Sequence, residues 1–348
     1  MHSKSNVGPG EIMTQTDAAL ADLKRAFRAG LDQTARMVAP GAIDALVAGL
    51  DPGVVWSACA PINTLAGREA VRDGFWAPLL RALPDLERRP DLLLAGAWAE
   101  GLWTAHMGHF LGVFEQDLFG VPATRRPVWL RYGAFERHGP EGVTQAYWII
   151  DLPGLMMQAG VWPLAPGLGL PGVSPAPATQ DGLAAALGGP EESAESLALV
   201  ERMIAGLMQY DRVSLASMGM RRFWTPHFGW YGPAGIGTMR GHADYERGHQ
   251  QPFLTAFPDR KGGDHKCRIG DGAYVGSTGW PSIRATHTGG GFMGLPPTGR
   301  PVTMRVMDFW RRDGAFLSEN WVFIDLIDLL GQMGLDVFAR MGERLALR

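Results

Sequence analysis

The sequence predicts an α+β protein built as a tandem duplication of one unit, in which helices cover one face of a curved antiparallel sheet. Two observations predict this fold class. Residues 118–160 align with residues 292–334 without a gap, and 15 of the 43 columns are identical. In each copy, helix-like spacing of apolar residues comes first and strand-like alternation follows. A repeat of this length indicates a duplicated domain rather than a solenoid unit.

The offset of 174 residues continues upstream of this block, pairing Trp56 with Trp230 and Gly67 with Gly241. A chain of 348 residues has the length expected of two domains. We expect a flexible leader, a first domain, a Pro-, Gly- and Ala-rich linker and a second domain at residues 1–12, 13–164, 165–190 and 191–348.

Composition excludes several classes of partner. The net charge is −3, so the global basic field that draws proteins to nucleic acid or anionic membrane is missing from the sequence. The longest apolar runs have strand length, well short of the roughly 20 residues that span a bilayer. We expect a soluble, cytoplasmic protein. Cys59 and Cys267 occupy non-equivalent positions in the two copies, which predicts neither a disulfide framework nor a metal knuckle.

Each copy is predicted to begin with helices. Apolar residues follow helical spacing in two stripes, at Leu20, Leu23, Phe27 and Leu31 and at Leu197, Val200, Ile204 and Met208. A short helix near Ile43–Leu50 should end at the following Asp51-Pro52. A further helix is predicted at Glu69–Leu83 and at Ala243–Phe257. Each contains a proline that should bend it.

Strands follow these helices. The predicted runs are Asp91–Ala95, Leu102–Phe110, His265–Ile269, Ala273–Trp280, Pro301–Arg311 and Ala315–Ile324. Asp271-Gly272 and Asp313-Gly314 are typical of tight hairpin turns between strands. A short C-terminal helix completes the unit.

The final part of the chain resembles a known family. Gly294-Leu-Pro-Pro-Thr-Gly-Arg-Pro-Val is followed by Asp308-Phe, by Asp313-Gly314 and by Glu319-Asn-Trp-Val-Phe-Ile-Asp325-Leu. This pattern resembles the SnoaL-like polyketide cyclases of the NTF2-like superfamily. The resemblance implies a cone formed by a bent sheet and three helices around an apolar pocket. It does not settle the reaction, because this fold hosts enzymes and binding proteins alike.

The resemblance also implies where a site should lie. In the family pattern an acid/base aspartate directly follows the tryptophan, and a histidine lies on the adjacent strand. Here Val322 follows Trp321, and Asp308 takes the place of the histidine. The first copy has Trp148 and Ala134 at these two positions.

The duplication acts as an internal control, because a polar residue found in one copy only is not required by the fold. The second copy has polar residues where the first has apolar ones, in the pairs His249/Phe75, Cys267/Leu93, His287/Val113, Asp308/Ala134 and Asn320/Ala146. Burying polar groups costs free energy unless they are paired, so a copy that gathers them on pocket-facing strands is expected to use them. We therefore predict the site in the second copy. The first copy, rich in tryptophan, is interpreted as a structural partner, although His106 and His109 could line a second pocket.

Strand parity refines the candidates. Met304, Val306, Asp308 and Trp310 share one face of a strand, and Ser318, Asn320, Val322 and Ile324 share a face of its neighbour. We assign Asp308, His265 and His287 as catalytic, with Asp308 as a base whose pKa desolvation would raise. The residues expected to contact substrate are His249, Trp230, Trp280, Trp310, Asn320 and Val322.

Simpler interpretations accompany these assignments. Asp308 could instead form a salt bridge on the outside of the sheet with Arg240, Arg284 or Arg305. Asp151 and Asp325 precede helix-like segments in both copies, which predicts helix-capping roles. The histidines could form a proton relay, but their spacing matches no standard zinc pattern, so no metal is expected.

The first hypothesis is a cofactor-independent enzyme that removes and returns a proton next to a carbonyl group of a small hydrophobic substrate. Aldol cyclisation, double-bond isomerisation and dehydration all fit. The alternative is a non-catalytic small-molecule-binding protein, and a weaker third hypothesis is a hydrolase with a histidine-activated water. The two domains are expected to pair within one chain as a pseudo-dimer, with further homo-oligomerisation left open.

Overall fold

The computed structural model describes residues 9–37 and 41–346, which contain two sheets flanked by helices. The helices are α1 (Pro9–Gln33), α2 (Ala42–Ala48), α3 (Arg68–Val71), α4 (Ala77–Ala82), α5 (Leu152–Gln158), α6 (Pro190–Leu207), α7 (Gly241–Tyr245), α8 (Gln251–Ala256), α9 (Leu326–Gln332) and α10 (Val337–Ala346).

The first sheet has the strand order β2-β1-β6-β5-β4-β3. Its strands are β1 (Leu50–Ala58), β2 (Thr64–Ala66), β3 (Glu87–Trp98), β4 (Gly101–Val113), β5 (Pro127–Gly139) and β6 (Gly142–Ile150). Helix α1 packs on β3 and β4.

The second sheet repeats this plan in the order β10-β11-β12-β13-β7-β8, with the short β9 paired to β11. Its strands are β7 (Trp224–Tyr231), β8 (Thr238–Arg240), β9 (Lys261–Gly262), β10 (His265–Asp271), β11 (Tyr274–Thr286), β12 (Pro301–Asp313) and β13 (Phe316–Ile324). Helix α6 packs on β10 and β11. The predicted fold class, two curved sheets each covered by helices, is confirmed.

Each sheet contains one parallel pair that was not predicted. Strand β1 pairs in parallel with β6, and β7 pairs in parallel with β13. Strands β1 and β7 have no strand-like pattern in the sequence because both carry turn-like residues, including Asp51-Pro52-Gly53 in β1. Each of these strands adds an edge hairpin, β1–β2 or β7–β8, to the antiparallel core.

The proline-containing helix is irregular next to its proline, where each copy has a π-helical turn. Arg72–Trp76 forms this turn before Pro78, and Glu246–Gln250 forms it before Pro252. Proline has no N–H to donate, so the regular i→i−4 pattern is interrupted next to it. Such turns are frequent at functional sites because they redirect side chains.

Two parts of the expected domain plan differ in detail. Residues 1–8 of the expected leader lie outside the described residues, and α1 already begins at Pro9. The linker segment runs along the second sheet: Leu170 forms an isolated bridge with Thr238, and Trp321 Nε1 donates to the Pro175 carbonyl oxygen at 2.8 Å.

The two halves contact each other through equivalent residues. Phe135 and Phe309 are 174 positions apart, and their ring centroids lie 5.2 Å from each other. Nearby, Arg131 is buried and donates from Nη1 and Nη2 to the carbonyl oxygens of Tyr231, Gly232 and Val322 at 3.0–3.1 Å. Contacts between equivalent residues are what a two-fold arrangement requires.

The capping aspartates join the two halves as well. Asp151 Oδ1 accepts from Gly154 N at the start of α5, and Asp325 Oδ1 accepts from Asp328 N at the start of α9. The second oxygen of each carboxylate crosses to the other half. Asp151 Oδ2 accepts from Ala234 N at 3.0 Å, and Asp325 Oδ2 accepts from Ala60 N at 2.9 Å. Each aspartate therefore caps a local helix and fixes the opposite half.

Candidate functional site

A cavity of about 200 Å³ lies in the second domain between its sheet and helices α6–α8. Its wall is mostly apolar. Representative members from α6 and the strands are Met203, Ile204, Leu207, Met304, Val306 and Ile324. Polar groups are few, and several of the predicted residues are among them. This combination of an apolar wall and a small number of polar groups is typical of a small-molecule site.

The cavity occupies the place of an aromatic cluster in the first domain. There, Trp148 stacks on Trp56 and on Tyr132, with ring centroids 5.2 and 5.5 Å away. It also meets Phe75 and Trp76 edge-on at 5.3 and 5.6 Å.

The second domain replaces four of these five aromatic residues at the offset of 174. Phe75, Trp76, Tyr132 and Trp148 become His249, Gln250, Val306 and Val322, and all four replacements line the cavity. Only Trp56 keeps its type, as Trp230. The space therefore results from smaller side chains in a shared fold, and this signal was present in the sequence beyond the Phe75/His249 pair.

Asp308 lies in the middle of the cavity wall on β12. Its neighbours in the sheet are Ser277 on β11 and Val322 on β13, and both line the cavity. In the first domain the residue opposite Ala134 is Trp148, so the strand register agrees with the sequence alignment at this point. Asp308 is half-buried, and its accessible surface remains because the space beside it is hollow.

The surroundings of Asp308 change its acidity. Burial raises the pKa of Asp308 to about 7, although the hydrogen bond from Asn320 and the charge of Arg268 act in the opposite direction. Asn320 Nδ2 lies 3.3 Å from Asp308 Oδ1. No salt bridge to Asp308 is found within the described residues; Arg305 instead pairs with Asp325 and Asp328. A carboxyl group with this pKa can accept and release a proton near neutral pH.

Two of the predicted histidines also line the cavity. His249 belongs to the π-helical turn and stacks on Trp230, with ring centroids 4.2 Å apart. Burial, with a smaller effect from the charge of Arg260, lowers the pKa of His249 to about 3, so the imidazole is neutral at physiological pH. His265 is the first residue of β10 and is exposed as a whole. Partial desolvation of its ring still lowers its pKa.

The structure does not bring His287 or Trp280 to this cavity. His287 is fully buried just beyond the end of β11, where its ring packs on Phe257 and its Nδ1 lies 3.1 Å from Thr298 Oγ1. Trp280 packs on Tyr147 of the first domain and lies under the Arg305 guanidinium. His287 is therefore part of a loop anchor and Trp280 part of the contact between halves.

His287 and Trp280 lie outside the cavity because the register of β11 differs from that of β4, its counterpart in the first domain. Ser277 is opposite Asp308, and His106 is opposite Ala134, so these two strands are related by 171 residues rather than 174. An irregularity in the strand pairing between Gly279 and Ile283 changes this offset again further along β11. The offset of 174 therefore does not hold on β11. Two residues that share an alignment column there need not occupy equivalent positions in the two sheets.

The remaining predicted contact residues, Trp230, Trp310, Asn320 and Val322, all line the cavity. Three side chains with buried nitrogen donors line it too: Trp224, Gln250 and Trp310. None of these three nitrogens has a hydrogen-bond acceptor among the described residues. Trp224 and Gln250 were not among the residues predicted from the sequence. Gln250 could have been found from its pairing with Trp76, since the pair changes an aromatic residue to an amide.

No cluster of three or more His, Cys, Asp or Glu side chains suited to a metal ion occurs in residues 9–37 and 41–346. Within the same ranges, every helix is too short or too polar to traverse a lipid bilayer.

The comparison with family models decides the relationship of the second half. Residues 210–333 match the model of the SnoaL-like polyketide cyclases. The second domain is a SnoaL-like domain. The match confirms the resemblance given by the Gly294–Val302 motif and the segment Glu319–Asp325, and it contains most of the residues that line the cavity of the SnoaL-like domain.

The chain is also similar to solved structures. One is AclR, a putative hydroxylase from Streptomyces galilaeus, with 27% identity over 41% of this chain and 86% of that chain and a TM-score of 0.33. Another is IdmH, a putative polyketide cyclase from Streptomyces antibioticus, with 25% identity over 39% and 98% and a TM-score of 0.31. A third is a putative SnoaL-like polyketide cyclase from Jannaschia sp. CCS1, with 15% identity over 45% and 96% and a TM-score of 0.32. The comparison with curated proteins found no match.

Proposed function

We propose that the SnoaL-like domain is a cofactor-independent acid/base enzyme that acts on a small hydrophobic carbonyl compound, as a polyketide cyclase-like, isomerase-like or dehydratase-like catalyst. The observation that carries this proposal is the half-buried Asp308 in an apolar cavity, with a pKa of about 7. A carboxylate with a raised pKa is a stronger base than an ordinary aspartate, and it is ionised to a useful degree at neutral pH.

The proposed step is a proton transfer. The carboxylate of Asp308 takes the proton from the carbon next to the carbonyl group, and the electron pair of the broken C–H bond moves to give an enolate. The enolate carbon then attacks a second carbonyl of the same molecule in a cyclisation, or is reprotonated at another carbon in an isomerisation. In either case the proton held by Asp308 returns to the product. The mostly apolar wall favours the step, because fixed dipoles act more strongly on a developing charge where little water surrounds it.

Exchange of α-hydrogen for deuterium tests this proposal without knowledge of the natural substrate. A panel of aromatic methyl ketones and β-keto esters is incubated with the protein in D₂O, and loss of the α-proton signal is followed by NMR. We expect catalysed exchange with the wild type and loss of at least about a hundredfold in Asp308→Asn, the scale of general-base catalysis. Asp313→Asn, at the exposed end of β12, is the matched control. Exchange that persists in Asp308→Asn contradicts the proposal.

A non-catalytic binding role is the second candidate. It is favoured by Val322, which stands where the family pattern has its acid/base aspartate. An apolar ligand would then raise the unfolding temperature through preferential binding to the folded state. The binding role predicts this shift together with no exchange above the uncatalysed rate for any ketone in the panel.

We also propose that the two halves replace the two subunits of a dimer. The contact between Phe135 and Phe309 and the crossed hydrogen bonds of Asp151 and Asp325 support this arrangement. Sedimentation equilibrium should give a species of the chain mass, 37.7 kDa. A species of twice that mass that dissociates when Phe309 is replaced by Ala would contradict the proposal, because it would place the contact with Phe135 between chains.

A further inference from the structure

Two buried donors in the cavity have no acceptor. Gln250 and Trp310 are each 4% exposed and line the cavity, and neither Gln250 Nε2 nor Trp310 Nε1 has an acceptor at hydrogen-bond geometry among the described residues. The Gln250 side chain is near enough to the Tyr245 hydroxyl to oppose the rise that burial gives the Tyr245 pKa, but the two groups do not form a well-aligned hydrogen bond. Burying a donor without an acceptor costs free energy, and native proteins rarely accept that cost without a reason. Such donors indicate a missing acceptor.

The first domain shows that the fold does not require these donors. At the offset of 174, Gln250 corresponds to Trp76, and Trp310 corresponds to Glu136. In the first domain Glu136 Oε1 accepts from Trp148 Nε1 at 3.1 Å, so the polar group at that position has a partner within the protein. Both donors therefore belong to the copy that has the cavity, and both line its wall.

Other donors in the cavity are less suitable. Asn320 Nδ2 is already shared between Asp308 Oδ1 and the Phe309 carbonyl oxygen, at 3.3 and 3.0 Å. Trp224 Nε1 is unpartnered as well, but Trp224 pairs with Leu317 near the β12–β13 hairpin, five residues along β13 from Val322. Trp310, by contrast, is two residues from Asp308 on the same strand, so the two side chains share a face about 7 Å apart.

We propose that Gln250 Nε2 and Trp310 Nε1 donate hydrogen bonds to the carbonyl oxygen of the ligand. The cavity then selects ligands with an acceptor oxygen on an apolar body, and Gln250 and Trp310 are its specificity-determining residues. The claim on binding stands independently of catalysis. The further claim, that the same donors stabilise the enolate oxygen formed by Asp308, rests on the proposed function.

The binding claim is tested with two ligands of the same shape, 2-acetonaphthone and 2-isopropenylnaphthalene, in which C=O is replaced by C=CH₂. Dissociation constants are measured by calorimetry for the wild type, Gln250→Leu and Trp310→Phe, with Met304→Leu as a control that changes only apolar wall. We expect the wild type and the control to prefer the ketone by about tenfold, the scale of two net hydrogen bonds. Each of the two donor variants should reduce that preference to about threefold, because one of the two hydrogen bonds remains.

The infrared carbonyl stretch of bound 2-acetonaphthone gives a second readout that a purely structural role would not change. Loss of a hydrogen bond should move this band to higher frequency in Gln250→Leu and Trp310→Phe, and leave it in place in Met304→Leu. An unchanged band, an equal ketone preference in all variants, or no binding of the ketone to the wild type would each overturn the proposal.

The outcomes also separate this proposal from the proposed function. Asp308→Asn should keep the ketone preference even though it loses deuterium exchange. If the wild type prefers the ketone more strongly than the donor variants do, yet no exchange is seen, the donor assignment stands and the acid/base proposal fails. If exchange depends on Asp308 but ketone preference is the same in all variants, the donor assignment fails alone.

Discussion

Asn320 Nδ2 lies 3.3 Å from Asp308 Oδ1 on the neighbouring strand, and the same nitrogen lies 3.0 Å from the Phe309 carbonyl oxygen. The amide nitrogen has two hydrogens, one for each acceptor, so the Asp308 carboxylate receives a single neutral donor from Asn320. Burial is the larger effect, and the pKa of Asp308 stays near 7. Asp308 and Asn320 together therefore affect the pH at which the carboxyl group in the cavity becomes charged.

Asp308→Asn is expected to stabilise the protein at pH 8 and to leave its stability nearly unchanged at pH 4. In the unfolded chain this carboxyl group ionises near pH 3.9, whereas its folded-state pKa is about 7, so the folded state holds an extra proton between these values. Stability should therefore fall as the pH rises through this window, and an amide removes that dependence. At ~1.4 kcal/mol per pKa unit, reduced because the cavity admits water, the gain at pH 8 is about 1–3 kcal/mol.

Urea denaturation at both pH values measures this difference. Asp313→Asn, at the exposed end of β12, serves as the control and should show no gain that depends on pH. A constant difference between wild type and Asp308→Asn from pH 4 to pH 8 would show that the Asp308 pKa is not raised.

Asn320→Ala, which copies Ala146 of the first domain, is expected to raise the pKa of Asp308 further. The variant removes a hydrogen bond that favours the charged carboxylate, so ionisation becomes harder. The titration midpoint of the Asp308 carboxyl carbon, followed by ¹³C NMR, should move to higher pH by about half a unit or more. Ser318→Ala, whose hydroxyl bonds to the Arg311 carbonyl oxygen, should leave the midpoint in place. A midpoint that falls in Asn320→Ala would refute this account of the pair.

Exchanging the cavity-determining residues between the two copies should have opposite effects. Val322→Trp copies Trp148 and is expected to fill the cavity and abolish ligand binding by calorimetry, while stability changes by less than about 3 kcal/mol because space is present. Trp148→Val removes a fully buried ring from a packed cluster and should cost about 3–5 kcal/mol. Retained binding in Val322→Trp would mean that ligands use a different site.

Asp151→Ala and Asp325→Ala are each expected to destabilise the protein by about 2–4 kcal/mol. Each substitution removes a helix cap, typically worth ~1 kcal/mol, and a hydrogen bond from a carboxylate to the other half, worth about 1.5–3 kcal/mol. Asp336→Ala is the matched control, since Asp336 caps α10 through Ala339 N in an exposed position and should cost only ~1 kcal/mol. Urea unfolding of all three variants provides the comparison, and equal losses would show that the crossed bonds contribute nothing.

Much of the fold could be predicted from sequence because the duplication doubles each signal. The helices before Pro84 and Pro258 and the paired strands after them were located by apolar spacing and by the Asp271-Gly272 and Asp313-Gly314 turns. Strands β1 and β7 were missed, since their pairing with β6 and β13 is non-local and leaves no local pattern. A strand that begins Leu-Asp-Pro-Gly resembles a turn until its partner is known.

The site was predictable only where the two copies keep one register. Asp308, Asn320 and Val322 lie on β12 and β13, where the offset of 174 holds, and they line one cavity. His287 and Trp280 lie beyond or within the irregular part of β11, where a column in the alignment no longer implies a shared position. Gln250 was overlooked because an amide in a helix carries no chemical pattern of its own. Its interpretation as a donor to a ligand depends on the absence of an acceptor for its amide, which only the structure shows.

The crossed bonds of Asp151 and Asp325 also constrain biosynthesis. While the ribosome is still translating the later half, the amides of Ala60 and Ala234 cannot both have met their carboxylates, because Ala234 and Asp325 have not yet been made. The hydrogen bond between Asp151 and Ala234 can therefore form only after this part of the second half has been synthesised. Synthesis as one polypeptide supplies one second half for each first half, at a high local concentration. Two separately translated subunits would not ensure this.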